Sequence, residues 1–279
     1  MKIECSAISY QYDLPGDETV IKDLSLCVNQ GEKIAVIGPA GSGKTTLIQL
    51  LDALILPTKG DIFYDGISVH DLSRSKNLPS IRRRIGVLFQ FPEHQFFHER
   101  AYDELSFAVK NFFPAETQEI DSRARILMER FHLDTDKLKE ISPFNLSSGE
   151  KRKLALASAL MTSPEVLILD EPTAGMDASG RNELIKIISS LSGTTVIVVT
   201  HNPEDFLMIA DRVVGISGGS KVVDVPRDNL LDHLDEMEDS GIVPPLVLSV
   251  QRWLIDAGCK IDSIFGDMEE LCRHLRGRA

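Results

Sequence analysis

Apolar and polar positions along this chain change their period several times, and each change marks an element boundary. From residue 2 to 12 the pattern reads as a β-strand ending in Tyr10 and Tyr12, and a second strand is expected over 20–28. Between them, 13–18 has turn chemistry, rich in Asp, Pro and Gly. Residues 33–37 form a short apolar run of the kind that a parallel sheet buries on both faces. A Gly-rich loop follows, then a helix to about residue 54. A break at 57–60 precedes a hairpin over 61–69 turned on Asp65-Gly66, and 85–89 is a further apolar strand that ends at Gln90.

From there to about residue 163 the period is helical. Ile120, Ala124, Leu127, Met128 and Phe131 recur at i, i+4, i+7, i+8 and i+11, which lays one apolar stripe along a helix. Pro164 closes this section. A strand at 166–169, a helix at 180–191 and strands at 195–200 and 212–216 then resume an α/β rhythm. The expected fold class is α/β: a parallel sheet flanked by helices, interrupted by a helical insertion.

The tail changes character again. Pro244-Pro245 opens a helix predicted to carry Leu246, Val250, Trp253, Leu254 and Ala257 on one stripe. Asp267 is a predicted N-cap with Glu270 as capping-box partner, before an apolar face of Met268, Leu271, Cys272 and Leu275. The expected division is a core domain over 1–224, with its helical part at about 91–163, and a helical extension over 225–279.

Charge and composition narrow the function classes. The 279 residues hold 30 Lys+Arg against 42 Asp+Glu, a net charge of −12. Such a surface is repelled by phosphate backbones and anionic lipid, which argues against a nucleic-acid partner and against direct docking on a membrane. No apolar run is long enough to span a bilayer, and the first residues show no signal-peptide core. The four cysteines, Cys5, Cys27, Cys259 and Cys272, lack metal-site spacing and read as reduced thiols.

The chemistry is concentrated in two motifs. Gly38-Pro39-Ala40-Gly41-Ser42-Gly43-Lys44-Thr45 matches G-x-x-x-x-G-K-[ST] between a strand and a helix. Glycines let backbone N–H groups close around a β-phosphate, and the helix directs its positive end at the same anion. Lys44 reaches the β- and γ-phosphates, and the Thr45 hydroxyl ligates Mg²⁺. The second motif is the apolar strand 166–169 followed by Asp170 and Glu171. A carboxylate at that strand's end lands beside the phosphate loop, so Asp170 is expected to hold Mg²⁺ and Glu171 to orient or deprotonate the attacking water.

Leu146-Ser147-Ser148-Gly149-Glu150, one helix upstream of Asp170, resembles the ABC signature, usually L-S-G-G-Q. The ordered set of motifs over 2–220 is similar to an ABC-type P-loop ATPase core, with its antiparallel β subdomain and helical signature subdomain. The resemblance implies further nucleotide contacts. Tyr12 looks like the adenine-stacking aromatic, Thr46 belongs with the phosphate loop, Gln90 is similar to the Q-loop glutamine that also serves the metal, Asp177 to the D-loop aspartate and His201 to the switch histidine. It implies ATP and Mg²⁺ as cofactors and a head-to-tail dimer of ATPase subunits. In that dimer Ser147, Ser148 and Gly149 meet the partner's nucleotide, and Lys44, Glu171 and His201 carry the catalysis. Ser148 and Glu150 depart from the usual Gly and Gln, and Glu150 adds a negative charge in the first turn; the expected reading is tolerated variation, with a slower ATP site completed by this signature as the alternative.

The segments 89–97 and 101–108, with 109–112 and 242–245, resemble the ATPase subunits of energy-coupling factor (ECF) transporters, which import vitamins or cobalt and nickel. That likeness implies a transmembrane coupling protein, a substrate-binding membrane subunit and a second ATPase, identical or paralogous. It also implies a place on the cytoplasmic face of the cell membrane. Glu99, Asp103 and Glu104 are the acidic candidates for contact with arginines of the coupling protein. Three alternatives are weaker. An ordinary ABC transporter subunit does not account for those segments. A soluble ABC ATPase acting on nucleic acid or ribosomes calls for basic patches or a second phosphate loop. A small P-loop kinase needs no signature.

Overall fold

The computed structural model describes residues 1–13, 18–113, 117–261 and 263–276, so most of the turn expected at 13–18 lies outside the described residues. Two sheets organise the chain. An antiparallel sheet has the order β2-β1-β4-β5, from β1 (Ile3–Tyr10), β2 (Ile21–Val28), β4 (Lys59–Tyr64) and β5 (Ile67–Ser68). The second has the order β10-β9-β3-β8-β7-β6. Its strands are β3 (Lys33–Ile37), β6 (Ile85–Leu88), β7 (Val166–Asp170), β8 (Thr195–Thr200), β9 (Arg212–Ser217) and β10 (Ser220–Pro226). All of its pairings are parallel except β9 with β10.

Helices fill the connections. The phosphate-loop helix is α1 (Lys44–Leu51), and two short helices, α2 (Val69–Arg74) and α3 (Leu78–Arg82), lead to β6. The insertion comprises α4 (Ala101–Phe112), α5 (Thr117–Arg130), α6 (Thr135–Glu140) and α7 (Ser148–Leu160). Then come α8 (Ala178–Ser189), α9 (Leu234–Asp239), α10 (Leu246–Asp256) and α11 (Met268–Arg276). The hairpin turn is the expected one: Asp65 and Gly66 both have positive φ, 48° and 83°, as a two-residue turn of that kind requires.

The alternation of side chains along the parallel strands explains the layering. On β7, Val166 and Ile168 face the core shared with the antiparallel sheet and α1, whereas Leu167 and Leu169 face the helical insertion. On β8, Ile197 and Val199 turn to the first core and Val196 and Val198 to the second. On β3 the same alternation gives Ile34 and Val36 to the first core, but Ala35 and Ile37 to a third, formed with α9, α10 and α11. The chain after residue 226 thus covers the part of the sheet that the insertion leaves open. The expected boundary at 224/225 falls inside β10, a strand the sequence reading missed.

Two expectations for the tail are corrected. Leu246 and Trp253 are 64% and 68% exposed, while Val247, Leu248 and Gln251 are the buried face of α10. Gln251 sits in that core because its amide is fully used: Nε2 donates to the carbonyls of Val247 and Phe265, and Oε1 accepts from the Phe265 N–H. Asp267 caps α11 as expected, accepting from the Glu270 N–H at 2.8 Å. On α11 Leu271 is buried, but Met268 and Cys272 are exposed.

Candidate nucleotide-binding site

The carboxyl ends of β3, β6, β7 and β8 bring the predicted groups to one edge of the parallel sheet. At the end of β3 the chain turns through the phosphate loop, and two of its glycines are sterically required. A Cβ on Gly38 would lie 2.1 Å from the Ile216 carbonyl oxygen. Gly43 has φ +99°, and a Cβ there would meet Ile21 at 2.8 Å. No side chain caps the start of α1, so its first N–H groups are open toward the loop. Ser42 is 3% exposed, and its hydroxyl has no hydrogen-bond partner among the described residues. An orphaned buried hydroxyl and an uncapped helix start in one loop suit a bound phosphate group.

Lys44 is half-buried, and its ammonium donates to the Gly38 and Pro39 carbonyls, each at 2.8 Å. Burial lowers its pKa, while the charges of Glu171 and Asp170 oppose that shift. The Thr45 hydroxyl lies 3.4 Å from Asp170 Oδ2. Asp170 is buried, and burial together with the Glu171 charge pushes its carboxyl up to about 6. A hydroxyl and an under-compensated carboxylate in contact are the hard oxygen donors that Mg²⁺ takes, with the remaining positions left to water and phosphate. Accordingly no cluster of three His, Cys, Asp or Glu side chains suited to a metal occurs among the described residues.

Glu171 is the most constrained residue of the site. It has φ +49°, in the left-handed region that a non-glycine residue enters at a cost, and it is 7% exposed. Its N–H donates to Val199 O at 2.8 Å. Its carboxylate accepts from the Thr200 hydroxyl at 3.2 Å and the His201 N–H at 2.8 Å, and His201 Nδ1 lies 2.6 Å from Oε1. The structure therefore joins Glu171 and His201 directly, with the imidazole 67% exposed.

The other predicted residues fall into two sets. Tyr12 stands over α1: its hydroxyl is 3.1 Å from Thr46 Oγ1 and 3.3 Å from Gln49 Oε1, and its ring meets Tyr10 edge-on at 5.0 Å. Gln90 follows β6 and is exposed. Asp177 is the N-cap of α8, accepting from the Gly180 N–H at 2.8 Å. Ser147, Ser148 and Gly149 form the start of α7, and among the described residues no hydrogen bond links them to the phosphate loop. Ser147 and Glu150 close a capping box: Ser147 N–H and O–H donate to Glu150 Oε2 at 2.9 and 2.8 Å, and Ser147 Oγ accepts from the Glu150 N–H. Lys137 pairs with the same carboxylate at 3.2 Å. These bonds, the Ser147 backbone donor first, hold the Glu150 carboxyl below its usual range.

The acidic triplet after Gln90 separates on inspection. Glu99 is exposed, and Asp103 is half-exposed beside Lys110 at 3.4 Å. Glu104 is instead internal: one oxygen accepts from the Phe97 and His98 N–H groups, each at 3.1 Å, and from His98 Nδ1 at 3.0 Å. It anchors the loop before α4 through one oxygen and also lines the groove between β6, α4 and α7, so it is a groove carboxylate and not part of an open acidic surface. The carboxylate's reach back to N–H groups six and seven residues upstream left no periodic trace. Arg152 was missed for a related reason. Its guanidinium reaches the Glu171 and Gln90 carbonyls, and backbone acceptors have no sequence signature.

Residues 21–174 match the family model described as ABC transporter, over more than half of the chain. The chain belongs to the ABC transporter family. It is an ATP-binding ATPase chain of that family. Among curated relatives, the ECF transporter ATP-binding protein EcfA2 of Thermotoga maritima is 41% identical over 239 residues, covering 84% of this chain and 86% of that one. EcfA2 of Clostridium tetani is 36% identical over 278 residues, covering 99% and 96%. The solved structure of cbiO1 from Clostridium perfringens, part of the ABC transporter complex cbiONQ, matches at TM-score 0.73 and 28% identity, over 89% of this chain and 98% of that one. A dimeric ATP-binding cassette in a post-hydrolysis state with ADP and Pi shares the fold, at TM-score 0.73 and 24% identity over 81% of this chain and 98% of that one. No described helix is long and apolar enough to cross a membrane.

Proposed function

We propose that this chain is an ATP-hydrolysing subunit of an ECF-type importer of vitamins or metal ions, working beneath a transmembrane coupling protein. The observation that carries the ATPase chemistry is the convergence on one edge of Lys44, Thr45, Asp170, Glu171 and His201. Lys44 now spends its donors on loop carbonyls, and a nucleotide's β- and γ-phosphates would take them over. Thr45, Asp170 and Gln90 would hold Mg²⁺, which when bound neutralises charge on the phosphates. Glu171, fixed through Thr200 and His201, orients the attacking water and accepts its proton. Tyr12 offers an aromatic face beside α1 for the base.

The signature at 147–149 acts on a second subunit's ATP, in a dimer of the kind that the post-hydrolysis cassette's title names. A small groove between β6, α4 and α7 supports the membrane assignment. It has a volume of about 210 Å³, is lined by Arg82, Arg83, Phe96, Phe107 and Phe112, and has Phe97 (62% exposed) packed on Phe107 beside it. Exposed aromatics around an arginine-flanked groove suit a helix end from a partner, and Glu99 and Asp103 supply acidic surface nearby. Affinity purification from native membranes tests the reading. Recovery of a polytopic membrane protein and a second ATPase subunit is expected, and recovery of ribosomes or nucleic acid alone contradicts it.

A further inference from the structure

Glu171 is placed by more than its own strand. The backbone at this residue is left-handed just past the end of β7, and its carbonyl accepts from Arg152 at 2.7 Å and from the Ala174 N–H at 3.1 Å. The second arm of the same guanidinium donates to the Gln90 carbonyl at 3.1 Å. Arg152 lies on α7, five residues past the signature's first serine. It is half-buried, and among the described residues it forms no ion pair with a carboxylate. Its direct hydrogen bonds go to two backbone oxygens only, with the Glu93 and Glu171 charges acting at longer range, which is an unusual use of a half-buried arginine, since the desolvation cost is ordinarily offset by a paired carboxylate. Its fork geometry is what lets one side chain hold two carbonyls from two different loops.

We propose that Arg152 is a positioning residue for ATP hydrolysis. It braces the strained Glu171 backbone and the Gln90 loop against the signature helix, so that the general base, the turn after β6 and α7 hold one arrangement. This rests on the reading of Glu171 as the base. The brace does not touch the phosphate loop: Lys44 and the start of α1 are held by their own carbonyls and glycines. Removing it therefore leaves ATP binding intact and misplaces the Glu171 carboxylate. Lysine keeps the charge but reaches one carbonyl at a time, so it restores only part of the function.

The test measures ATP turnover by the assembled native complex carrying Arg152→Gln, Arg152→Lys or Arg152→Ala, with Glu171→Gln alongside. The expected result is a kcat lower by roughly 10- to 100-fold for Arg152→Gln, with an unchanged KM for ATP and an unchanged melting temperature. Arg152→Lys falls in between, and added guanidinium ion partly restores Arg152→Ala. Wild-type kcat in Arg152→Gln, while Glu171→Gln is inactive, overturns the proposal. Loss of ATP affinity in step with melting temperature, without guanidinium rescue, also overturns it and makes Arg152 a scaffold residue only. Full activity in Glu171→Gln would instead remove the base assignment on which the brace depends.

Discussion

The phosphate loop and the signature segment of this chain treat their glycines in opposite ways. In the phosphate loop this chain itself requires them, because a Cβ on Gly38 or Gly43 would collide with Ile216 or Ile21. At the signature, a Cβ on Gly149 would meet nothing within 4 Å. Gly149 also sits in the first turn of α7, where alanine would favour the helix by up to about 1 kcal/mol. The phosphate loop is thus built for its ligand within one chain. The signature carries a glycine that no described residue of this chain requires, which suits the approach of a body from outside it. Its capping serine is meanwhile engaged by Glu150, whose carboxylate a γ-phosphate arriving from a partner would have to displace.

This contrast can be broken most forcefully at the phosphate loop. Lys44→Ala should abolish measurable ATP binding, read by titration with a fluorescent analogue. Retained affinity would mean that the loop's backbone and helix start suffice without the ammonium. Next in size, Gly149→Ala should leave the isolated chain as stable as before, or up to about 1 kcal/mol more stable, on a melting curve. In the assembled complex the same substitution should cut ATP turnover by about tenfold or more, a donor-geometry loss of the kind that removing one transition-state contact produces. An unchanged rate would show that no partner nucleotide approaches residue 149.

The insertion that carries the signature offers a sharper pair. Glu104→Lys reverses a buried carboxylate that three donors share, and should cost about 3 kcal/mol of stability. Asp103→Lys alters a half-exposed side chain, and should change stability by less than about 0.5 kcal/mol while weakening co-purification of the membrane partner. Equal effects on stability would refute the different placements of these neighbours.

A pH-dependent effect is expected at the far end of α1. Asp52 caps that helix at its negative end, and burial pushes its carboxyl up to about 7, with Arg82 opposing. Because the folded pKa is raised above the unfolded value, folding favours the protonated form. The group's contribution is fully present below about pH 4 and is lost as pH climbs toward 7. Asp52→Asn should therefore add about 1–2 kcal/mol at pH 8 and nothing at pH 4, seen in denaturant melts at both values. An equal gain at both would place the effect in packing and not in titration.

How much of this was legible in the chain follows the range of the interactions involved. Strands β3, β7 and β8 could be placed to within a residue, because continuous apolar runs ended by Gly38, Asp170 and His201 leave little choice. The phosphate loop was legible because its chemistry is contained in eight consecutive residues. Long-range pairings were not. Strand β10 has polar and apolar positions mixed, and it is defined by its partner β9. Trp253 and Leu246 are the most apolar candidates on α10, yet the face that packs includes Gln251, because the Phe265 backbone supplies its partners. Glu104 and Arg152 escaped for the same reason: each is fixed by backbone groups that no residue type announces. That Ser147 and Lys137 occupy the Glu150 carboxylate was likewise not legible in the chain.

The most direct test of the account is ATP turnover by the native membrane complex carrying Glu171→Gln, at saturating Mg·ATP, with bound nucleotide counted in parallel. The account predicts full ATP occupancy with hydrolysis slowed by about 10²- to 10⁴-fold. Hydrolysis at the wild-type rate would contradict it.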